Sequence, residues 1–248
     1  MKYKGRLQPE EREQISLLSL SIKKNMRSLL RNFFTKVFQK KGGIVTYYSI
    51  DKNQKIQKYV EEIKSEVDFL LSINEALQLY YLSNSVNKLE GDFAEVGCYQ
   101  GGSTKLILHS MSNSKHLHLF DTFEGLPERN EIIDNDRFYK GQFACSMEKV
   151  SEYLSDPRVI FYKGFFPFTA EKIEKNTRFS FVHLDLDLYE PTIEALKFFY
   201  PRLTRGGIIL THDYSTAAGV GMAYNEFSHH HNIPIFPLSG SQAFICKF

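Results

Sequence analysis

Three acids and a histidine stand at the ends of two apolar runs in the second half of the chain. Asp185 and Asp187 close the run FSFVHLDLD, and His212 and Asp213 close the run GGIILTHD. Two such runs predict neighbouring buried strands, and Asp185 and Asp187 share one side of the pleat because they are two residues apart. Three carboxylates this close would repel one another strongly without a cation between them. The pattern therefore favours a metal site, for which carboxylates and water are the ligands that Mg²⁺ prefers.

A glycine-rich turn joins a short apolar run to a helix pattern in the segment GDFAEVGCYQGGS. Glycines in such a turn let a ligand lie against the backbone, and the helix start offers free N–H groups. The dinucleotide fingerprint G-x-G-x-x-G requires glycine where this chain has Tyr99. The spacing E-x-G-x-x-x-G, from Glu95 through Gly97 to Gly101, instead resembles the first motif of S-adenosylmethionine (SAM) methyltransferases. That resemblance implies that these residues border the methionine part of the cofactor.

Another acid fits the same kind of ligand. The run HLHLFD ends at Asp121. In doubly wound folds an acid about 20 residues beyond the glycines, at the end of the second strand, binds ribose hydroxyls. An Asp that only caps the following turn is the alternative interpretation of Asp121. If the first holds, Gly97, Asp121, Asp185 and Asp213 all lie at the carboxyl edge of one sheet, where such folds bind ligands.

Apolar runs alternate with helix patterns along the rest of the chain, at strands 161–166, 179–187 and 206–213 and helices 147–154, 168–175 and 191–203. Such alternation predicts a parallel sheet with helices on both faces. The last segments, Ile233–Phe236 and Ala243–Lys247, are typical of an antiparallel hairpin. We expect an α/β fold: a Rossmann-like, doubly wound, mostly parallel seven-stranded sheet with a C-terminal antiparallel hairpin, preceded by N-terminal helices.

Five segments in order, GDFAEVGCYQGGS, FDTFEGLPE, YKGFFPFT, LDLDLYEPT and YPRLTRGGIILTHDY, resemble blocks of the TylF/macrocin O-methyltransferase family, class I SAM-dependent enzymes. They span residues 91–214. The resemblance implies transfer of a methyl group from SAM to a hydroxyl of a small acceptor, a sugar moiety of a natural product or polysaccharide. It also implies a magnesium ion and a homo-oligomer such as a dimer.

The resemblance assigns residues to the SAM site and to the chemistry. The residues expected to bind the cofactor are Glu95, Gly97, Tyr99, Gly101, Gly102, Ser103, Asp121, Thr122, Phe123, Gly164, Phe165 and Asp185. Phe165, Phe166 and Phe168 either form one wall of the adenine pocket or pack in the core. The residues expected to be catalytic are His212, Asp187 and Asp213, and the metal ligands are drawn from Asp185, Asp187, His212 and Asp213.

His212 departs from the family pattern, which has Asp-Asp-Tyr where this chain has His212-Asp213-Tyr214. Three interpretations follow. Magnesium is held by Asp185 or Asp187 together with Asp213 and water; or manganese, iron or zinc is held with His212 as a ligand, because imidazole suits softer metals. In the third, the metal is lost and His212 acts as the general base, a task that suits a neutral histidine near pH 7.

The N-terminal region is strongly basic. Residues 1–41 hold eleven Lys/Arg and three Glu, a net charge of +8, so the rest of the chain carries −6 of the total of +2. Ile22–Lys41 has apolar residues at helical spacing, which favours docking on its own domain or on a dimer mate over peripheral contact with an acidic membrane or a polyanion. We therefore divide the chain into a basic amphipathic helical arm (1–43), a helical cap (44–90) and a methyltransferase core (91–248).

Several other features bear on function. A helical region at Ile56–Leu82 suits a cap over the acceptor pocket, and the polar loop Glu124–Gln142 suits a lid. We interpret His229–His231 as a solvated helix end and His183 as a core histidine. Three scattered cysteines, no secretory pattern in residues 1–22 and no apolar run of about 18 residues lead us to expect a cytoplasmic protein.

Two other classes of function remain open. A nicotinamide-dependent oxidoreductase lacks its glycine at position 99, and a catalytically silent methyltransferase-like binding protein would bind SAM weakly or not at all. A nucleic acid substrate is disfavoured, because the acid-rich loop beside the expected site has the wrong sign for a phosphate backbone.

Overall fold

Seven apolar segments form one sheet in the computed structural model, which describes residues 54–248. The strands are β1 (Asp92–Val96), β2 (Leu117–Asp121), β3 (Val159–Lys163), β4 (Phe179–Leu184), β5 (Leu203–Thr211), β6 (Phe236–Pro237) and β7 (Ala243–Cys246), in the order β3-β2-β1-β4-β5-β7-β6. The first five are parallel, and β7 is antiparallel to both β5 and β6. The predicted fold class is confirmed.

Six α-helices of the described residues connect or precede these strands: α1 (Gln54–Glu66), α2 (Ile73–Ser85), α3 (Gly102–Ser110), α4 (Met147–Leu154), α5 (Tyr189–Arg202) and α6 (Ala218–His231). The central strands are apolar on both faces, as a covered parallel sheet requires. On β1, Phe93 packs in a core with α1 to α4, whereas Ala94 and Val96 pack in a second core with α5 and α6. The predicted basic arm (1–43) and the start of the helical cap lie outside the described residues, so these domain bounds stay predictions.

Several element bounds differ from the sequence expectation for local reasons. The region Ile56–Leu82 is two helices, because Ser72 and Glu75 form a reciprocal capping box that starts α2. The run at 161–166 ends as a strand at Lys163, since Gly164 adopts a φ of +136°. The segment after it is a short 3₁₀ helix, Phe168–Lys172, and β5 begins at Leu203.

The carboxyl ends of the parallel strands are joined at one edge of the sheet. Gly97 donates its N–H to the Phe120 carbonyl at 2.9 Å, and Asp185 donates to the Val96 carbonyl at 2.9 Å. His212 extends the ladder by donating to the Leu184 carbonyl at 2.9 Å. These backbone hydrogen bonds therefore bring the segments that follow β1, β4 and β5 to the same edge of the sheet.

Gly97 is the tightest point of that edge. Its φ is +87°, a conformation that side chains other than glycine rarely adopt. A Cβ at this position would lie 1.9 Å from the Asp185 carbonyl oxygen, which belongs to the neighbouring strand end. The close approach of these two backbones therefore depends on glycine.

Gly97→Ala is expected to lower the free energy of unfolding by about 3 kcal/mol, from the strain of positive φ and the backbone overlap combined. Gly141→Ala is the matched control, since its φ is +81° and a Cβ there would meet nothing within 4 Å beyond its chain neighbours. It should lose only the strain, about 1 kcal/mol. Urea unfolding of both variants measures the difference, and equal losses would show that the contact with Asp185 is unimportant.

The polar loop between β2 and α4 is tied down at both its neck and its middle. Leu126 and Gln142 close the neck, with Leu126 N–H donating to the Gln142 carbonyl at 2.8 Å. Further along, the Asp134 carboxylate accepts the Tyr189 N–H at 2.8 Å, and the Asn135 side chain accepts the Ala218 N–H at 2.6 Å. These two side chains cap α5 and α6, whose own preceding residues supply no side-chain cap.

Asp134→Ala is expected to release the middle of this loop, because the N–H groups of Tyr189 and Asn130 lose their acceptor. The cost should be about 1 kcal/mol, as for loss of a helix cap. Hydrogen exchange of the backbone between 128 and 138 should become faster. Glu131→Ala, at an exposed position of the same loop, serves as control and should leave exchange unchanged; equally fast exchange in both variants would contradict the anchoring role.

Candidate active site

A cavity opens at the carboxyl edge of the sheet, and most of the residues expected from the sequence line it. Gly97, Asp121, Asp185 and Asp213, which come from four strand ends, face this one cavity. The other expected residues that line it are Tyr99, Gly102, Ser103, Thr122, Gly164, Phe165, Asp187 and His212. The convergence that the sequence pattern required is therefore present.

The start of α3 forms one side of the cavity. Gly101 precedes the helix with a φ of +85°, and Gly102 and Ser103 in the first turn line the cavity. A Cβ on Gly102 would lie 2.6 Å from the Phe69 ring, so the helix start approaches the loop between α1 and α2 closely. The first N–H groups of a helix lack partners within it and suit a negatively charged or polar ligand.

Asp121 is held in place by two backbone groups. Its Oδ2 accepts the Cys98 N–H and its Oδ1 accepts the Phe123 N–H, both at 2.7 Å. Each carboxylate oxygen has a second lone pair, and the side chain lines the cavity, so further hydrogen bonds to hydroxyl groups are available. Thr122 continues the lining, and its hydroxyl donates to the Gly125 carbonyl.

Three of the residues expected at the cofactor do not line the cavity. Glu95 is fully buried beneath it, because it points to the side of β1 that faces α3. There it binds His183 Nδ1 at 2.9 Å and accepts the Thr104 hydroxyl. Phe123 packs in the core beside Phe161, and Gly101 faces α4. These three residues lie behind the residues that line the cavity.

His183 is a core histidine, as its place in β4 indicated. Its Nδ1 faces Glu95, and its Nε2 has no hydrogen-bond partner among residues 54–248. His229, His230 and His231 form the exposed end of α6, where His231 packs against Phe227. Neither set takes part in the cavity.

The charged group at the other side of the cavity is centred on His212. Its Nδ1 lies 3.3 Å from Asp185 Oδ1 and 3.0 Å from Asp213 Oδ2, and its Nε2 lies 3.8 Å from Glu75 Oε1. Asp185, His212 and Asp213 each offer one potential ligand atom, and these three atoms all lie within 4.8 Å of one another. Two carboxylates and an imidazole in this arrangement form a donor set for a divalent cation.

Electrostatics in this group depend on the histidine. Burial alone would lower the pKa of His212, but the charge of Asp185 and the close contacts with the carboxylates of Asp185, Asp213 and Glu75 raise it far above its ordinary value. Burial would likewise raise the pKa of Asp213, but the hydrogen bond from His212 lowers it to about 2. Without a metal, an imidazolium therefore offsets one of the three carboxylate charges around it.

Asp187 lies beside Asp185 and Asp213 but is not one of the three potential metal ligands. It is 8% exposed, lines the cavity, and adopts a φ of +62°, which is unusual for a residue other than glycine. Burial, followed by the charges of Asp185 and Asp213, raises the pKa of Asp187 well above its ordinary value. Without a metal, this carboxyl group therefore holds its proton more tightly than a free one.

Sequence reasoning missed several residues of the site. Glu75 belongs to a capping box, a pattern visible as Ser-x-x-Glu, but its contact with His212 connects segments 137 residues apart and leaves no local signal. Arg137, on the long loop, places Nη2 3.6 Å from Asp213 Oδ1. Asp68–Leu71 line the cavity only because the helical region before the core is broken there.

Apolar side chains form the remaining wall. Phe165 and Phe166 line the cavity together with Leu126, Pro127 and Phe143. Phe166 also packs in the core against Phe199, so both interpretations of that residue apply. Phe168 is 70% exposed and belongs neither to the cavity wall nor to the core, so both interpretations of its role are wrong. A flat apolar surface of this kind suits an aromatic base.

Similarity to known proteins was found at the levels of sequence and fold. A tetracenomycin rhamnosyl 4'-O-methyltransferase of Streptomyces olivaceus is 32% identical over 143 residues, 52% of this chain and 54% of that protein. Demethyldecarbamoylnovobiocin O-methyltransferase of Streptomyces niveus is 27% identical over 157 residues, 57% of this chain and 59% of that protein. The matched regions thus span somewhat over half the length of these curated relatives.

The structure of the O-methyltransferase NovP has the same fold, with a TM-score of 0.62 and 21% identity over 72% of this chain and 81% of that one. None of the helices between residues 54 and 248 has the length and apolarity needed to cross a membrane. The profile of the macrocin O-methyltransferase (TylF) family matches residues 75–240, two thirds of the sequence. The chain belongs to that family.

Proposed function

We propose that this protein is a SAM-dependent O-methyltransferase that methylates a hydroxyl group on a sugar moiety of a natural product or polysaccharide. The observation that carries the proposal is the single cavity shared by Gly97, Asp121, Asp185 and Asp213. One half of this cavity has the glycine turn and the acid expected at a bound nucleoside. The other half holds the cluster of charged side chains. Family membership and relatives named for methylation of rhamnosyl and novobiocin compounds support the acceptor class.

The residues fit the cofactor in three ways. Asp121 offers free lone pairs to ribose hydroxyls, the start of α3 offers N–H groups, and Phe165 belongs to an apolar wall for the adenine. SAM supplies an electrophilic methyl group on a sulfonium. The protein's part is to orient the acceptor oxygen behind that methyl group and to exclude water.

The donor set also fits a divalent cation, held by Asp185, His212 and Asp213. Such an ion lowers the pKa of a coordinated hydroxyl group and fixes its position. Magnesium would use the two carboxylates with water, whereas the imidazole favours manganese or iron. The three acids around His212 also account for the metal-free state, in which the imidazolium takes the place of the cation.

We assign Asp187 as the general base that removes the proton of the acceptor hydroxyl. It lines the cavity beside Asp185 and Asp213, and a cation held there would keep its carboxylate ionised and able to accept a proton. His212 is less suited to that role, because carboxylates surround it and hold its proton. Asp213, which bonds to His212, serves as a ligand.

The residues of the site give less support to the two alternative functions, a nicotinamide-dependent oxidoreductase and a catalytically silent binding protein. A nicotinamide-dependent enzyme would need glycine in place of Tyr99, and a silent binding protein would not require three carboxylates around a histidine. Homo-oligomer formation and membrane contact through the basic arm stay predictions, since residues 1–53 lie outside the described part of the chain.

Two substitutions should separate cofactor binding from chemistry. Asp121→Ala should weaken SAM binding by about 1.5–3 kcal/mol, the range for hydrogen bonds to a charged group. Asp213→Asn should leave SAM affinity within about twofold and nearly abolish methyl transfer, because it removes a charged ligand. Calorimetry with SAM, and SAH release with a panel of demethylated deoxysugar glycosides, measure the two effects. Full turnover of Asp213→Asn would contradict its assignment.

The metal preference should follow residue 212. His212→Asp restores the family's third carboxylate, so the affinity for Mn²⁺ relative to Mg²⁺ should fall by about tenfold, because the imidazole donor is lost. Chelation should remove the activity of the wild type, and added Mn²⁺ should restore it. Calorimetric titration with each ion measures the ratio. An unchanged ratio would show that His212 is not a ligand.

A further inference from the structure

Glu75 is the residue of the charged group that comes from outside the sheet. It lies in the first turn of α2 and is 7% exposed, so its carboxylate is shielded from solvent. Its Oε1 is 3.8 Å from His212 Nε2, on the opposite side of the imidazole from Asp185 and Asp213. The two ring nitrogens therefore face different partners.

The capping box accounts for the contacts of only one of the two carboxylate oxygens of Glu75. Oε2 accepts the N–H and the hydroxyl of Ser72, at 2.9 and 2.7 Å, and these bonds complete the cap of α2. Oε1 takes no part in the cap. It accepts the N–H and the hydroxyl of Ser241, at 2.9 and 2.6 Å, from the turn between β6 and β7.

That turn is shaped around the carboxylate. Gly240 has a φ of +99°, and a Cβ there would lie 2.9 Å from Glu75 Oε1. Four hydrogen bonds from two segments more than 160 residues apart thus fix the orientation of one side chain. A cap alone would need none of the contacts on the Ser241 side.

We propose that Glu75 is a positioning residue that holds the imidazole of His212 with Nε2–H toward Oε1, so that in the metal-loaded protein the Nδ1 lone pair points to the cation held between Asp185 and Asp213. A carboxylate that accepts the second N–H of a ligating histidine fixes its tautomer and ring orientation. This inference rests on the proposed metal-assisted function. It makes Glu75 the partner that allows histidine to replace the family's aspartate.

The test is a double-mutant cycle of Glu75→Gln with His212→Asp, measured as Mn²⁺ affinity of the full chain by calorimetry. Glutamine can keep the capping box by turning its amide oxygen to Ser72, so α2 should remain intact. Its NH2 then faces Ser241 and His212 in place of the carboxylate oxygen. With His212 present, Glu75→Gln should weaken Mn²⁺ binding 10–100-fold, the range for loss of an outer partner of a ligand. With Asp at position 212, the same change should cost less than about threefold.

Two further measurements separate orientation from structure. Ser241→Ala removes one hydrogen bond to Glu75 but keeps its carboxylate, and should change Mn²⁺ affinity by less than about threefold. In ¹⁵N-histidine spectra of the Zn²⁺-loaded protein, His212 should be protonated at Nε2 in the wild type and lose that slowly exchanging proton signal in Glu75→Gln.

The outcomes are distinct. Unchanged Mn²⁺ affinity in Glu75→Gln, or an equal loss with His and Asp at position 212, would overturn the positioning role, since a general charge effect acts equally in both. A wild-type protein that binds SAM but no divalent cation would instead overturn the metal centre of the proposed function. Loss of SAM binding in the wild type would refute the methyltransferase assignment itself.

Discussion

Charge compensation around His212 is the interaction on which the site depends. Three carboxylates, from Asp185, Asp213 and Glu75, approach one imidazole from the ends of β4 and β5 and from α2. Their mutual repulsion at these distances would force the segments apart without a positive charge at the centre. Either the imidazolium or a bound cation supplies it, so the packing of α2 against the sheet edge is linked to the charge state of the site.

The sheet makes this concentration of charge possible. Parallel strands bring their carboxyl ends to one edge, and continuation of the ladder at Gly97, Asp185 and His212 fixes the relative heights of the segments. The apolar faces of the same strands are buried in two cores, which provide the stability that offsets the buried acids and the positive φ angles of Asp187 and Asp213. The packing of the two cores thus stabilises the strained backbone at the carboxyl edge of the sheet.

Sequence patterns predicted the parts of the site that are encoded locally. Asp121, Asp185 and Asp213 were predictable because an acid directly after an apolar run falls at a strand end. Glu95 follows the opposite rule: it lies within β1, where alternation turns its side chain away from the cavity. Glu75 and Arg137 could not be predicted, since each reaches the site through contacts with segments far along the chain. The break before Ser72 was hidden because apolar residues recur at helical spacing across it, at Val60, Ile63, Val67, Leu70 and Leu77.

The anchoring of the long loop determines where Arg137 lies. Asp134 and Asn135 each cap a helix, and Arg137, beside them, reaches Asp213. Two such caps are worth about 2 kcal/mol, so a detached loop would be populated only at about 3%. The loop therefore stays docked on the starts of α5 and α6 in nearly all molecules, which keeps the positive charge of Arg137 beside Asp213.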